Sequence, residues 1–180
     1  MSRRTGVTRA GAGLAAPALL VGLAACTTNE ARYCPNVEVM NGLDRIVQTG
    51  TGTSGTADKS AIAYGATIAD VRSGCLIDQG GVTVDLRVTI IAQRGPAGAG
   101  LPHADITYFV AVTNRDREII GKRQFTDRLV FDAAGRAQVV DDLKQRIPSP
   151  PTRSVVGDSV VLGFQLTSEQ LDLNESKPGR

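Results

Sequence analysis

Apolar residues recur at every second position in several stretches of the chain, which is the spacing of strands that bury one face. In the clearest stretch, from 82 to 93, alternate positions are apolar and most of the others are polar; the apolar ones are Val82, Val84, Leu86, Val88, Ile90 and Ala92. A weaker alternation begins at Ile62 and leads to Cys75. Because Asp78-Gln79-Gly80-Gly81 between them is typical turn sequence, the two runs predict a β-hairpin.

Further strands are predicted by similar alternation or by short apolar runs at Pro35–Gln48 (one or two strands), Ile106–Val112, Ile119–Phe131 and Val160–Leu166. The turn residues from Asn114 to Glu118 would join the middle two in a second hairpin. After the last strand, Thr167 and Gln170 match a capping box, with Leu166 and Leu171 placed as its hydrophobic staple. We therefore expect a short helical turn near the end of the chain.

The segment that contains Val139, Leu143 and Ile147 is ambiguous, because a spacing of four fits a helix and also keeps all three on one face of a strand. Val139-Val140 and Asp141-Asp142 are poor helix formers, so a strand is favoured. Pro148, Pro150 and Pro151 should end any regular structure after it.

About seven strands without long helical patterns between them predict an all-β fold, an antiparallel β-sandwich of the immunoglobulin or fibronectin type III shape. A small closed barrel is the alternative, since the strand from Val82 to Gln93 is long enough to curve. We expect the domain to span residues 35–173, with a frayed tail at 174–180. The Gly- and Thr-rich segment 49–59 is expected to be a mobile loop.

The first 25 residues have the layout of an export signal. Arg3, Arg4 and Arg9 precede an uncharged apolar run at 14–25 that ends in small residues. As a helix this run would span about 18 Å, too short for the roughly 30 Å hydrocarbon core of a bilayer. Arg3-Arg4 resembles the start of a twin-arginine signal, but Gly6 and Val7 depart from that pattern, so a plain basic region is favoured.

Leu23-Ala24-Ala25-Cys26 at the end of this segment resembles the lipobox of bacterial lipoproteins. The resemblance implies that residues 1–25 are removed, that the Cys26 sulfur carries a diacylglycerol, and that 26–34 form a lipidated tether. Palmitate and similar chains on one residue would give durable membrane anchoring. Thr27, where Asp would imply inner-membrane retention, implies transfer to the outer membrane. An ordinary secreted protein with a chance cysteine is the alternative.

Removal of residues 1–25 changes the charge and the cysteine count. Without Arg3, Arg4 and Arg9, 17 basic residues face 18 acidic ones, so no basic field for nucleic acid remains. Cys34 and Cys75 would lie in an oxidising compartment, which favours a disulfide between them. Two buried thiols or a metal pair are alternatives, but only one histidine, His103, could add a metal ligand of that type.

No catalytic, cofactor or metal motif appears in a suitable context. Gly50–Gly55 matches the letters of a dinucleotide fingerprint, but strand spacing rather than a helix follows it. His103 next to Asp105 could act in acid–base chemistry, yet an exposed loop histidine without a role is favoured. Asp141 and Asp142 are adjacent on a strand, point to opposite faces, and so cannot pair with each other. We expect no enzymatic activity; a hydrolase using His103 and Asp105 is the least favoured reading.

Two apolar segments, Tyr108–Val112 and Gly163–Thr167 with Gln170-Leu171, are similar to parts of uncharacterised proteobacterial envelope lipoproteins. This resemblance implies no activity, and the residues are expected to pack in the core. The sequence thus predicts a lipid-anchored, non-enzymatic accessory or protein-interaction module on the periplasmic face of the outer membrane, with an envelope protein as partner. A periplasmic small-ligand or glycan-binding module is the alternative, although tryptophan is absent and tyrosine is scarce.

Overall fold

A computed structural model describes residues 34–50, 58–149 and 154–176. The strands and the helix are β1 (Asn36–Val39), β2 (Arg45–Thr49), β3 (Ile62–Asp78), β4 (Gly81–Arg94), β5 (His103–Thr113), β6 (Ile119–Val130), β7 (Arg136–Pro148), β8 (Ser159–Phe164) and α1 (Ser168–Ser176). Short 3-10 turns lie at Lys59–Ala61 and Pro96–Gly98. Most of the segment predicted to be a mobile loop, residues 51–57, lies outside the described residues.

The strands form two sheets of four, in the orders β1-β8-β5-β6 and β2-β3-β4-β7. All neighbouring strands are antiparallel except β1 and β8, which run parallel. The predicted all-β sandwich is confirmed, with eight strands in the described part of the chain. Numbered in chain order, an immunoglobulin constant domain has sheets 1-2-5-4 and 3-6-7. The likeness to that class is therefore one of architecture and not of strand order.

The core lies between the two sheets and is built by the alternation seen in the sequence. The inward residues of β4 (Val82, Val84, Leu86, Val88, Ile90 and Ala92) are at most 7% exposed. They pack against the inward residues of β5 and β8, such as Val110 and Leu162. Both predicted hairpins are present as β3–β4 and β5–β6. The ambiguous segment around Leu143 is a strand, β7, as favoured.

The chain ends in a helix longer than the predicted turn. The Thr167 hydroxyl accepts from the backbone N–H of Gln170, and the Gln170 side chain accepts from the backbone N–H of Thr167, so the predicted capping box is present. The helix continues to Ser176, three residues beyond the domain boundary expected at 173. The tail is tied down at its start because Asn174 is buried and bonded to the β1–β2 turn. Among the described residues, no helix is both long enough and apolar enough to cross a bilayer.

Candidate functional site

The first sheet buries apolar side chains on both of its faces. Tyr108, Val110 and Val112 of β5 point into the core, whereas Phe109 and Ala111 point outward and are nevertheless buried. With Val161 of β8 they form a second, separate apolar cluster. This arrangement accounts for the unbroken apolar run Tyr108–Val112, since a strand covered on both faces needs no polar positions.

A groove of about 1070 Å³ lies over this outer cluster. Across the sheet, Glu38, Val161, Ala111 and Lys122 are register neighbours on β1, β8, β5 and β6. Three inter-strand spacings separate the first from the last, roughly 14 Å. The middle two side chains are small and the outer two are long, so the centre of the face is recessed between higher edges.

Leu43, in the turn between β1 and β2, closes one part of this groove. It packs on the cluster of Phe109, Ala111 and Val161, and its carbonyl accepts from the backbone N–H of Phe164. Gly163 makes this contact possible, because a Cβ there would lie 2.7 Å from the Leu43 Cβ and 3.3 Å from the Phe109 ring. The turn is therefore fitted closely to the sheet beneath it.

The rim of the groove carries positive charge. Among the described residues that line it, Arg115, Arg117 and Lys122 are the cations and Glu38 is the one acid; Asp116 and Glu118 of the same turn lie outside the lining. Within the described residues, none of the three cations forms an ion pair: Lys122 lies 4.3 Å from the centre of the Phe109 ring and bonds Gln165, while Arg115 donates to the Val156 carbonyl. These three cations are available to an anionic group.

The outer face of the second sheet is organised in the opposite way. There the cations are matched by carboxylates on neighbouring strands, in the pairs Arg87–Asp142, Lys144–Asp85 and Arg146–Asp78. The Arg146 guanidinium lowers the pKa of Asp78 to about 2. Since cross-strand pairs of opposite charge stabilise a sheet, this face satisfies its own charges. The contrast marks the groove on the first sheet as the candidate interaction surface.

Arg117 lies at the tip of the β5–β6 turn with a φ of 64°, the left-handed conformation that most residues other than glycine avoid. Asn114 builds this turn: its side-chain oxygen accepts from the backbone N–H groups of Asp116 and Glu118, and its carbonyl accepts from that of Arg117. The turn therefore holds Arg117 in an unfavourable backbone conformation, and no described contact of its side chain compensates for this.

A second unusual arrangement lies at the side of the sandwich where β6 and β7 approach each other. Asp127 of β6 faces Asp141 of β7, and the buried Tyr108 hydroxyl donates to Asp141. Burial, and then the neighbouring Asp141, raises the pKa of Asp127 to about 6. Burial and the same carboxylate raise the pKa of Tyr108. The second oxygen of the Asp127 carboxyl, Oδ2, is buried without a hydrogen-bond partner among the described residues.

Asp127 can keep its proton to a higher pH than an exposed aspartate, because burial and the neighbouring Asp141 disfavour its ionised form. As predicted, Asp141 and Asp142 point to opposite faces, and Asp142 pairs with Arg87 on the outer face. Asp127 was not predicted from the sequence. The available signal was an acid at an inward position of β6, between Phe125 and Leu129, but only the packing of the sheets shows which acid faces it.

The other predicted site residues fall into three groups: a cysteine pair that is close in space, residues that are not described, and two exposed residues on β5. Cys34 and Cys75 are at disulfide distance, with their Cα atoms 5.8 Å apart. Leu23, Ala24, Ala25 and Cys26 lie outside the described residues. His103 and Asp105 are both exposed on β5, but the Asp105 carboxylate forms an ion pair with Arg128.

Among the described residues, no group of three or more His, Cys, Asp or Glu side chains is arranged to hold a metal ion. No protein-family model, curated protein or solved structure matches the chain. The groove and the carboxyl pair of Asp127 and Asp141 are therefore the structural features that bear on function.

Proposed function

We propose that this protein is a lipid-anchored, non-enzymatic interaction module of the bacterial cell envelope, which binds a partner protein through the groove on its first sheet. The lipobox-like sequence ending at Cys26 supports the anchor, and Thr27 after it supports an outer-membrane location. The sandwich supplies a rigid body that presents the groove.

The groove is the observation that carries this proposal. Phe109 and Val161 form its apolar floor, and its rim holds three cations that have no carboxylate partner in the described structure. Protein interfaces combine an apolar centre with a polar rim, and arginine is enriched among the residues that dominate their binding energy. On the outer face of the second sheet, by contrast, the cations already pair with carboxylates of the same face.

The pair of Cys34 and Cys75 supports an exported location for the protein. The sulfurs of Cys34, just before β1, and Cys75, on β3, would join the two sheets covalently. Disulfides of this kind persist in oxidising compartments such as the bacterial periplasm and are rare in the cytosol. An exported location accounts for both this pair and the lipobox-like segment.

Lipid attachment is tested by growing cells that express the protein in radiolabelled palmitate. The wild type should incorporate label and sediment with membranes, and Cys26→Ser should do neither. Cys34→Ser together with Cys75→Ser is the matched control, because it removes two cysteines and should keep the label. Equal labelling of wild type and Cys26→Ser would contradict the anchor.

Partner binding is tested by placing a photocrosslinking amino acid at Ile119, which lines the groove and is 61% exposed. Leu76 is the matched control, since it is equally large and 68% exposed but belongs to the second sheet. In intact cells, the Ile119 position should give one reproducible adduct with an envelope protein, and the Leu76 position should not. The same adducts from both positions, or none from either, would contradict the proposed surface.

A small-molecule site is the second candidate, because a volume of about 1070 Å³ is close to the upper end of ordinary ligand pockets. A glycan would require an accessible aromatic face, and Lys122 covers the ring of Phe109. Native mass spectrometry of the purified protein distinguishes the candidates: a constant added mass of a few hundred daltons, lost on unfolding, would favour the small ligand.

A further inference from the structure

We infer that the groove on the first sheet binds an extended, acidic segment of the partner protein, with carboxylates at Arg115, Arg117 and Lys122 and an apolar side chain against the exposed Ile119. This inference rests on the proposed function and specifies the chemistry of the partner.

The charge distribution determines the sign of the partner. The cations lie on β6 and on the turn that precedes it, where Asp116 and Glu118 alternate with Arg115 and Arg117 but do not line the groove. Glu38 lies on β1 at the opposite edge of the sheet, so the described lining is positive at one end, about 14 Å from its one acid. Clusters of arginine recognise acidic motifs because a guanidinium can donate two parallel hydrogen bonds to one carboxylate.

The shape favours a peptide over a membrane surface. Proteins that bind bilayers directly present large apolar side chains outward beside their cations. Here the two exposed large apolar residues of the described lining, Met40 and Ile119, lie at opposite edges of the sheet, and the floor between them is recessed, with Phe109 5% exposed. An extended chain rises about 3.3 Å per residue, so a segment of four or five residues covers the width from β1 to β6.

The conformation of Arg117 is a second, independent reason. Glycine or asparagine would occupy a left-handed turn position at lower cost, and an arginine there costs roughly 1 kcal/mol of backbone energy. No described contact uses the Arg117 guanidinium, whereas Arg128 on β6 and Arg136 on β7 form ion pairs. Contact with a bound ligand would explain why Arg117 lies at the mouth of the groove although its backbone conformation costs stability.

The test uses the full lipidated protein in phosphatidylcholine nanodiscs and a fluorescein-labelled eight-residue peptide of alternating Glu and Leu. Its affinity is measured by anisotropy against a matched Lys/Leu peptide, with empty nanodiscs as the blank. The acidic peptide should bind and the basic one should not. Because contacts between exposed charges are modest, Arg117→Gly and Lys122→Gln should each weaken binding about three- to fivefold.

Arg117→Gly separates binding from folding. Loss of backbone strain offsets the greater flexibility of glycine in the unfolded chain, so Tm should stay within about 2 °C of the wild type while affinity falls. Lys144→Gln is the matched control: it removes a cation that is already paired with Asp85 on the second sheet, and peptide affinity should not change.

Equal binding of both peptides, or unchanged affinity in Arg117→Gly and Lys122→Gln, would overturn the inference. Displacement of the acidic peptide by phosphatidylglycerol vesicles but not by phosphatidylcholine vesicles would also overturn it, in favour of an anionic lipid surface. The proposed function is tested separately by the Ile119 crosslink. If the crosslink to an envelope protein persists in Arg117→Gly with Lys122→Gln, the proposed function stands and the partner's segment is not acidic.

Discussion

The hydroxyl of Tyr108, on β5 of the first sheet, donates a hydrogen bond to the carboxylate of Asp141, on β7 of the second. The Tyr108 ring also stacks on Phe125, with ring centres 5.4 Å apart, so the side chain is held along its whole length. This bond joins the sheets on the β6–β7 side. Cys34 and Cys75 join them on the side of β1 and β3. The sandwich is thus linked by a polar contact at one side and a covalent one at the other.

Tyr108→Phe should lower the free energy of unfolding by about 1–3 kcal/mol, because it leaves a partly buried carboxylate without its donor. Urea denaturation measures this change. Tyr64→Phe is the control, since the Tyr64 hydroxyl makes only a long bond of 3.4 Å to the Asp105 carbonyl and should cost less than about 1 kcal/mol. Equal losses in the two variants would show that the contact with Asp141 contributes nothing specific.

Asp127→Asn should stabilise the protein at pH 7 and have little effect near pH 4. The pKa of Asp127 is raised to about 6 in the folded protein, so the folded state binds more protons than the unfolded state between about pH 4 and 6. Stability therefore falls as the pH rises through this window. The full pKa difference corresponds to about 3 kcal/mol, and solvent access to the half-buried carboxyl reduces this to about 1 kcal/mol.

Thermal unfolding of Asp127→Asn and wild type from pH 4 to 8 checks this prediction, because the difference between the two curves should grow as Asp127 ionises. Asp142→Asn is the matched control. Its ion pair with Arg87 lowers the pKa of Asp142, so this variant should be slightly less stable than wild type at pH 7 and should not reproduce the rising difference. A constant difference for Asp127→Asn at all pH values would contradict the raised pKa of Asp127.

Local features of the sequence predicted what depends on one strand or one turn. The alternation from Val82 to Ala92 predicted the inward face of β4, and Thr167 with Gln170 predicted the start of α1. Features that depend on two distant segments meeting were not predictable. The packing of Leu43 on Phe109 requires Gly163 beneath it, and nothing local to any of these residues shows that they meet.

The disulfide should contribute a large part of the stability. Cys34 and Cys75 are 41 positions apart, and closing a loop of this size in the unfolded chain is worth about 4 kcal/mol in the chain-entropy model. Cys34→Ala with Cys75→Ala should therefore lose about 2–4 kcal/mol in urea denaturation. Dithiothreitol should destabilise the wild type by a similar amount and leave the double variant unchanged. Alkylation of both cysteines in denatured, unreduced protein would contradict the bond.

Asn174→Ala should destabilise the protein and loosen the groove at the same time. The Asn174 amide donates to the carbonyls of Gly42 and Arg45, each at 2.8 Å, and the residue is 3% exposed. Its loss removes one donor each from the carbonyls of Gly42, in the β1–β2 turn, and Arg45, at the start of β2, at a cost of about 2–3 kcal/mol. The same turn carries Leu43, so the backbone N–H of Phe164, bonded to the Leu43 carbonyl at 2.8 Å, should exchange faster with solvent deuterium. Asp172→Ala, exposed on the same helix, is the control and should change neither quantity; unchanged exchange at Phe164 in Asn174→Ala would show that α1 does not hold this side of the groove.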